Sequence, residues 1–453
     1  MSGILTLKEL SKKVGGKYIG GDCIVSGVSF NSNNITRGDV FVAIKADRDG
    51  HDYVRDAIQR GAIAVIVSKK QENINVPQVV FKDTREALGK LASIWRSQFH
   101  IPIIAITGSC GKTTTKDILG GILRIRGESV VTYKNFNNDI GVPITLFKIR
   151  RSTQYVVIEM GTNSPGEISK LVKIVKPTHA IITNVSGQHL EGLKTIDGVL
   201  REKFELFKGL SNDSVAFVNY DEVDIRKLSS SLNCRQVSYS LNENTHADIS
   251  FLKNLNDNKL RFKVNGEIQD FTVNLHGNHN IQNIMAALAC SSALKIPISI
   301  IRKGLRSILV TEGRFNRHVF NNNVIIINDT YNASLASVEA AINELDNFDG
   351  NRVFIMTDIL ELGDELVDSH LKMGELILKS SINSIYLFGD EVVLQNTIQA
   401  APEKDIIFCR EKDHILEKLF KNEKIRKNTM IVVKGARKNK MEDIVSKVID
   451  FYL

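Results

Sequence analysis

Ile103-Ile104-Ala105-Ile106-Thr107-Gly108-Ser109-Cys110-Gly111-Lys112-Thr113-Thr114 decides the fold. Its first five residues are apolar or β-branched and read as a buried strand, and from about Lys112 to Arg126 apolar residues recur at helical spacing. The glycine-bounded turn between them opens an α/β unit. Backbone N–H groups of such a turn converge on an anion, and the helix N-terminus adds positive dipole. A lysine there reaches terminal phosphates, and a threonine hydroxyl can ligate Mg²⁺. Gly108, Ser109, Cys110, Gly111, Lys112, Thr113 and Thr114 are therefore the candidate phosphate binders. A strict phosphate-loop pattern wants glycine where this chain has Ile106.

Further buried-strand runs at residues 155–159, 179–184 and 215–219 alternate with helical patterns, predicting a mostly parallel sheet covered on both faces. Residues 254–274 alternate polar and apolar side chains around Asn265-Gly266, which predicts a β-hairpin extending the same unit. After Glu312-Gly313-Arg314 a new series begins, with strands expected at 324–328, 352–357, 384–388 and 430–434. Helices between them make this a doubly wound, Rossmann-like unit. On the N-terminal side, apolar runs at 25–30, 40–44, 62–67 and 79–81 alternate with helical patterns at 53–60 and 84–98, a small α/β unit. The expected division is 1–98, 99–312 and 313–453, and 453 residues suit three domains at about 150 each.

Composition is that of a globular enzyme, with 43% hydrophobic and 24% charged residues, which excludes a disordered or collagenous chain. The net charge of +8 is a mild bias for this length, fit for a small polyanion such as a nucleotide; no nucleic-acid partner is expected. Residues 418–440 are locally basic and read as a solvated surface. Five scattered cysteines without a CxxC pair suggest a reducing compartment and no structural zinc. No apolar run approaches the length of a membrane span and the first residues lack a signal-peptide centre, so a cytoplasmic protein is expected.

Other polar segments carry candidate chemistry. Val156-Val157-Ile158-Glu159-Met160-Gly161 is a strand ending in a carboxylate, a hard oxygen ligand suited to Mg²⁺. Thr183-Asn184-Val185-Ser186-Gly187-Gln188-His189 is a polar loop leaving the next strand; alone, its histidine reads as solvated. In Arg201-Glu202-Lys203-Phe204-Glu205, helix arithmetic puts Lys203 off the stripe of Leu200, Phe204 and Phe207, as a surface lysine. His276-Gly277-Asn278-His279-Asn280-Ile281-Gln282-Asn283 precedes an Ala-rich helix, and its amides suit either helix capping or a purine edge.

Together these segments resemble the Mur ligase superfamily, ATP-dependent enzymes that join amino acids or peptides to a carboxylate of a cell-wall precursor. Thr107-Gly108-Ser109-Cys110-Gly111-Lys112-Thr113-Thr114-Thr115-Lys116 is similar to the family's TGxxGKTxxK, which accounts for the missing glycine. Asn135 to Pro143, Asp329-Thr330-Tyr331-Asn332-Ala333, Ile359-Leu360-Glu361-Leu362-Gly363 with His370, and Val433-Lys434-Gly435-Ala436-Arg437 resemble the branch that adds D-alanyl-D-alanine.

The resemblance implies Thr113 and Glu159 as Mg²⁺ ligands, His189 as a ligand of a second ion, and Lys203 as a carbamate that also binds metal. Catalysis would fall to Lys112, Glu159, His189 and Lys203. It implies Asn280 and Asn283 at adenine, Arg314 and Asp329 at phosphates and ribose, and substrate contacts from Asn31, Ser32, Asn137, Asn138, Thr183, Asn184, Tyr331 and Asn332. The implied cofactors are ATP and Mg²⁺, and the implied substrates a UDP-N-acetylmuramoyl-tripeptide and D-alanyl-D-alanine, joined through an acyl phosphate by a monomeric enzyme. Rival readings are a sister ligase adding a single amino acid and a phosphate-loop regulatory ATPase. Two departures stand out: Asn31-Ser32-Asn33 where relatives have Asp-Ser-Arg, and Tyr331-Asn332-Ala333-Ser334-Leu335 where the family has YNANP.

Overall fold

A computed structural model describes residues 6–256, 258–308 and 311–453; Asp257, within the expected hairpin segment, lies outside them. Each unit is a sheet with helices on both faces. The N-terminal sheet has five strands in the order Lys17–Ile19, Gln78–Val80, Ala64–Val67, Asp39–Val42, Gly27–Ser29, with only the first pair antiparallel. Alternation along Asp39–Val42 sends Val40 and Val42 into one apolar cluster and Phe41 into the other, as a strand buried on both faces requires.

The middle sheet has nine strands. Ile249–Asn256, Arg235–Ser240, Val215–Asn219, His179–Ile182, Ile103–Thr107, Tyr155–Glu159 and Ser129–Val131 run parallel in that order. Lys259–Val264 and Glu267–Thr272 add antiparallel strands at the edge, closing the expected hairpin at Asn265-Gly266. Ile104 and Ile106 pack with Ile118, Leu119 and Ile122 of the Lys112–Arg126 helix, while Ile103 and Ala105 face the Glu167–Val175 and Ile196–Lys208 helices. The Ile103–Thr107 strand lies between Tyr155–Glu159 and His179–Ile182, so chain order reverses around it. At such a reversal a crevice opens at the carboxyl ends of the strands.

The C-terminal sheet has six strands, Asn316–Phe320, Val324–Asp329, Thr429–Lys434, Asn351–Thr357, Ser384–Phe388 and Ile406–Cys409, all parallel but the first. Ile325 and Ile327 face one cluster and Ile326 the other. Asp329 and Lys434 are register partners at adjoining strand ends. Their edge faces the crevice of the middle sheet.

Candidate active site between the middle and C-terminal sheets

The turn after Ile103–Thr107 is held from outside. Ser109 N–H donates to the Asn184 carbonyl (3.0 Å) and Cys110 N–H to Asn184 Oδ1 (2.8 Å), while Thr183 Oγ1 donates to the Cys110 carbonyl (2.5 Å). Thr183 and Asn184, expected at the substrate, thus brace the phosphate loop. Gly111 has φ +82°, and a Cβ there would meet Asn283 Oδ1 at 2.2 Å, so only glycine allows that close approach. Lys112 Nζ donates to the carbonyls of Gly108 (2.7 Å) and Ser109 (3.0 Å), and burial pushes its ammonium below the ordinary lysine range.

Lys203 corrects the surface reading. It is 1% exposed, and its Nζ donates to the Gly108 carbonyl at 3.0 Å. The Ile196–Lys208 helix uses two faces, Phe204 and Phe207 in the apolar core and Lys203 beneath the phosphate loop. Burial first, and then the Lys112 ammonium, drive the Lys203 pKa well down.

Glu159 ends its strand at 2% exposure. Its Oε1 accepts from Asn137 Nδ2 (2.8 Å), while buried Oε2 accepts no hydrogen bond and has Lys116 Nζ only at 3.9 Å. A buried carboxylate oxygen without a hydrogen-bond donor among the described residues fits a hard divalent cation, and Thr113, in the first turn of the Lys112–Arg126 helix, offers a hydroxyl oxygen of the same kind. Asn138 Oδ1 accepts from the N–H groups of Ile140 and Gly141 where the Gly141–Phe147 helix begins, which orients the side chain at the cavity wall.

From the C-terminal side, Arg314 Nη2 donates to Thr113 Oγ1 (3.4 Å), and its guanidinium stacks 3.7 Å from the Tyr331 ring, with Arg437 at 5.2 Å. Lys434 Nζ donates to Asp329 Oδ2 (2.5 Å) and to the Asn332 carbonyl (3.1 Å). His189 Nδ1 comes within 2.6 Å of Glu361 Oε2, and that contact holds the Glu361 carboxyl below its usual range.

These groups surround a cavity of about 740 Å³. Its lining includes Ser109, Cys110, Gly111, Lys112, Thr114, Asn137, Asn138, Asn184, His189, Asn280, Asn283, Arg314, Asp329, Tyr331 and Asn332. Gly108, Thr113, Glu159, Thr183 and Lys203 stand directly behind that lining through the contacts above. Asn280 Nδ2 donates to the His276 carbonyl and Asn283 Oδ1 accepts from Thr115, so both amides are already held in place. Asn31 and Ser32 lie outside the lining; Asn31 Oδ1 accepts from Asn33 N–H and caps the short Ser32–Asn34 turn. Missed by sequence reasoning are Arg85, Gln188, Glu222, Glu361 and Lys434, which also line the cavity. Glu361 and Lys434 stand inside segments quoted for the family resemblance, and Gln188 in the polar loop before His189, whereas Arg85 and Glu222 carried no signal.

Comparison with known proteins agrees with this geometry. Three family descriptions match: "Mur ligase family, catalytic domain" over residues 24–96, "Mur ligase middle domain" over 106–291 and "Mur ligase, glutamate ligase domain" over 313–437. The UDP-N-acetylmuramoyl-tripeptide–D-alanyl-D-alanine ligase of Buchnera aphidicola subsp. Baizongia pistaciae is 36% identical over 435 residues, covering 94% of this chain and 93% of the relative. A crystal structure of MurF from Acinetobacter baumannii superposes with a TM-score of 0.87 at 29% identity, covering 98% of each chain. That of MurF ligase from Thermotoga maritima in complex with ADP gives 0.83 at 26% identity, covering 93% of this chain and 96% of that one. The chain belongs to the Mur ligase family.

Proposed function

We propose that this chain joins D-alanyl-D-alanine to a UDP-N-acetylmuramoyl-tripeptide, with ATP converted to ADP and phosphate, in peptidoglycan precursor synthesis. The observation that carries the reading is a single cavity faced by a phosphate loop from one sheet and by Arg314, Asp329, Tyr331 and Lys434 from another. The near full-length likeness to ligases of that name supports the choice of substrates.

In the mechanism, the N–H groups at the start of the Lys112–Arg126 helix and the Lys112 side chain hold the ATP phosphates, while the Ser109 and Cys110 N–H groups keep the loop in shape through Asn184, and Arg314 reaches the phosphates from the opposite side. The γ-phosphoryl group passes to the terminal carboxylate of the tripeptide, giving an acyl phosphate. Positioning and charge neutralisation supply most of the catalysis in such transfers. The dipeptide amine then attacks the activated carbonyl and phosphate leaves. Cys110 forms no bond in this scheme.

Thr113 and Glu159 would hold Mg²⁺, with Lys203 as its carbamate, and His189 would hold a second ion. Bound Mg²⁺ supplies neutralisation of phosphate charge. The depressed pKa of Lys203 supports the carbamate, because CO₂ adds to a neutral amine and a proton is released. Residues 1–98 are assigned to the UDP precursor, 99–312 to ATP and metal, and 313–453 to closure and the incoming amine. Closure also shields the acyl phosphate from water.

The test is phosphate release and product mass with ATP, the nucleotide tripeptide and competing amines. Product with D-alanyl-D-alanine is expected. Turnover with lysine, diaminopimelate or glutamate but not the dipeptide makes the chain a sister ligase, and hydrolysis indifferent to any precursor makes it a regulatory ATPase.

A further inference from the structure

His189 and Glu361 approach each other from different units, and both hold their backbone in the left-handed region, at φ 55° and 62°. Residues other than glycine stay there only where surrounding contacts impose it. Around Glu361 those contacts are explicit. Glu191 N–H donates to the Glu361 carbonyl (3.3 Å). Gly363, at φ +55°, packs so closely that a Cβ would lie 3.1 Å from Glu191 Cα, so a larger residue would push the Glu191 backbone aside by a few tenths of an ångström. Leu190 and Leu193 of the middle unit are buried in the C-terminal apolar cluster with Ile359 and Leu362.

Behind the contact, the loop is fixed to its own sheet. His370 is fully buried; its Nε2 accepts from Ile359 N–H (3.1 Å) and its Nδ1 lies 2.7 Å from the Leu366 carbonyl. That arrangement requires the proton on Nδ1. Asn439 Nδ2 donates to Asp358 Oδ1 at 3.1 Å, anchoring the start of the loop. The 358–363 loop is therefore a rigid projection of the C-terminal unit, with one carboxylate aimed at one histidine of the middle unit.

We propose that Glu361 is a positioning residue that catches the His189 ring when the C-terminal unit closes on the middle unit, with Leu190 and Leu193 as the apolar half of the same catch. A carboxylate beside Nδ1 orients an imidazole and leaves Nε2 as its free nitrogen. His189 lines the cavity, so the catch ties closure to the geometry of a cavity side chain. Opening separates Glu361 from His189 and frees the ring at the same moment. Chemistry in a half-closed cleft is thereby disfavoured.

The inference rests on the ligase reading only for its kinetic arm. In the full chain, dyes on the middle and C-terminal units report closure by single-molecule energy transfer, with ADP or a non-hydrolysable ATP analogue as the probe. Glu361→Ala should lower the nucleotide-induced closed fraction several-fold, and cut kcat by about tenfold or more with KM for ATP within about twofold. Glu361→Gln keeps an acceptor oxygen and should restore most of both. Wild-type closure in Glu361→Ala overturns the proposal. So does an equal loss in both variants with lowered Tm, which marks a structural residue. If the wild type fails to use D-alanyl-D-alanine, the substrate reading falls while the closure measurement still decides the catch.

Discussion

Lys203 buries its amino group, and among the described residues its hydrogen-bond acceptor is the Gly108 carbonyl. A cation so placed is costly unless its charge is removed or paired. Carbamylation does both, turning a donor group into an anion beside Lys112. Lys203→Ala should therefore lower turnover by about tenfold to a hundredfold, with partial recovery on adding short carboxylates such as formate or acetate at high concentration. Unchanged turnover would leave Lys203 as a brace for Gly108 alone.

His279 makes a different residue-scale prediction. Burial, aided by Lys434 and opposed by Asp329, takes its pKa down to about 4. The unfolded chain has it near 6.5. Above that value the ring is neutral in both states and its contribution to stability is complete. As pH falls toward 4, the unfolded state takes up the proton first, so stability drops, by about 3 kcal/mol in total. His179, also at about 4 through burial and Arg235, adds a second such slope. Burial lowers the His370 pKa as well, so urea denaturation of His279→Gln between pH 7 and 4 should show a histidine loss smaller than the wild type's by about 3 kcal/mol while keeping the share of the other two. Parallel curves for the two proteins would show that His279 does not titrate as its burial requires.

At the scale of elements, the Ser334-Leu335 departure has a plain cause. Ser334 is the N-cap of the Leu335–Asp346 helix: its hydroxyl accepts from Ser337 N–H and the Ser337 hydroxyl reaches back to Ser334 N–H, a capping box. Leu335 takes the first helical position, where proline is favoured elsewhere. Asn-Pro and Ser-Leu thus start the same helix by different means. Ser334→Ala should cost the C-terminal unit about 1 kcal/mol and Ser334→Asn much less, measured by chemical denaturation; equal stability of the two would refute the capping role.

The same scale shows what the sequence could carry. Ile103–Thr107, Lys112–Arg126, Tyr155–Glu159, Val215–Asn219 and Ser384–Phe388 form where their apolar periods predict, because both faces or one full stripe are buried. Ser129–Val131, Asn316–Phe320 and Ile406–Cys409 were not foreseen; they are short or polar edge strands whose pairing depends on neighbours distant in the chain. The phosphate loop was legible because its geometry is local. Lys203, Glu361 and Lys434 sit in segments the sequence singled out, but their contacts come from chain segments about a hundred or more residues away, so no window of sequence held those environments.

For the whole molecule, the mild excess of positive charge matters where it is gathered. Lys112, Lys116, Arg314, Lys434 and Arg437 lie on or behind one cavity, interleaved with the carboxylates Asp139, Glu159, Glu167, Glu222, Asp329 and Glu361, so what counts is their placement on the phosphate loop and opposite it. That field belongs to two sheets at once. A polyphosphate held by the loop of one and by Arg314 of the other cannot remain fully bound after either unit unfolds or swings away. Nucleotide should then act as a second linker between units that otherwise meet through the apolar seam of Leu190 and Leu193 on Ile359 and Leu362 and through polar pairs such as His189 with Glu361. Calorimetry without nucleotide should resolve the C-terminal unit as a separate transition. A non-hydrolysable ATP analogue at a hundredfold its Kd adds about 2.7 kcal/mol to the bound state, and should draw that transition upward into the transition of the middle unit. If only the middle unit's transition moves, the analogue is held by the phosphate loop alone, and Arg314 and Asp329 do not take part in binding it.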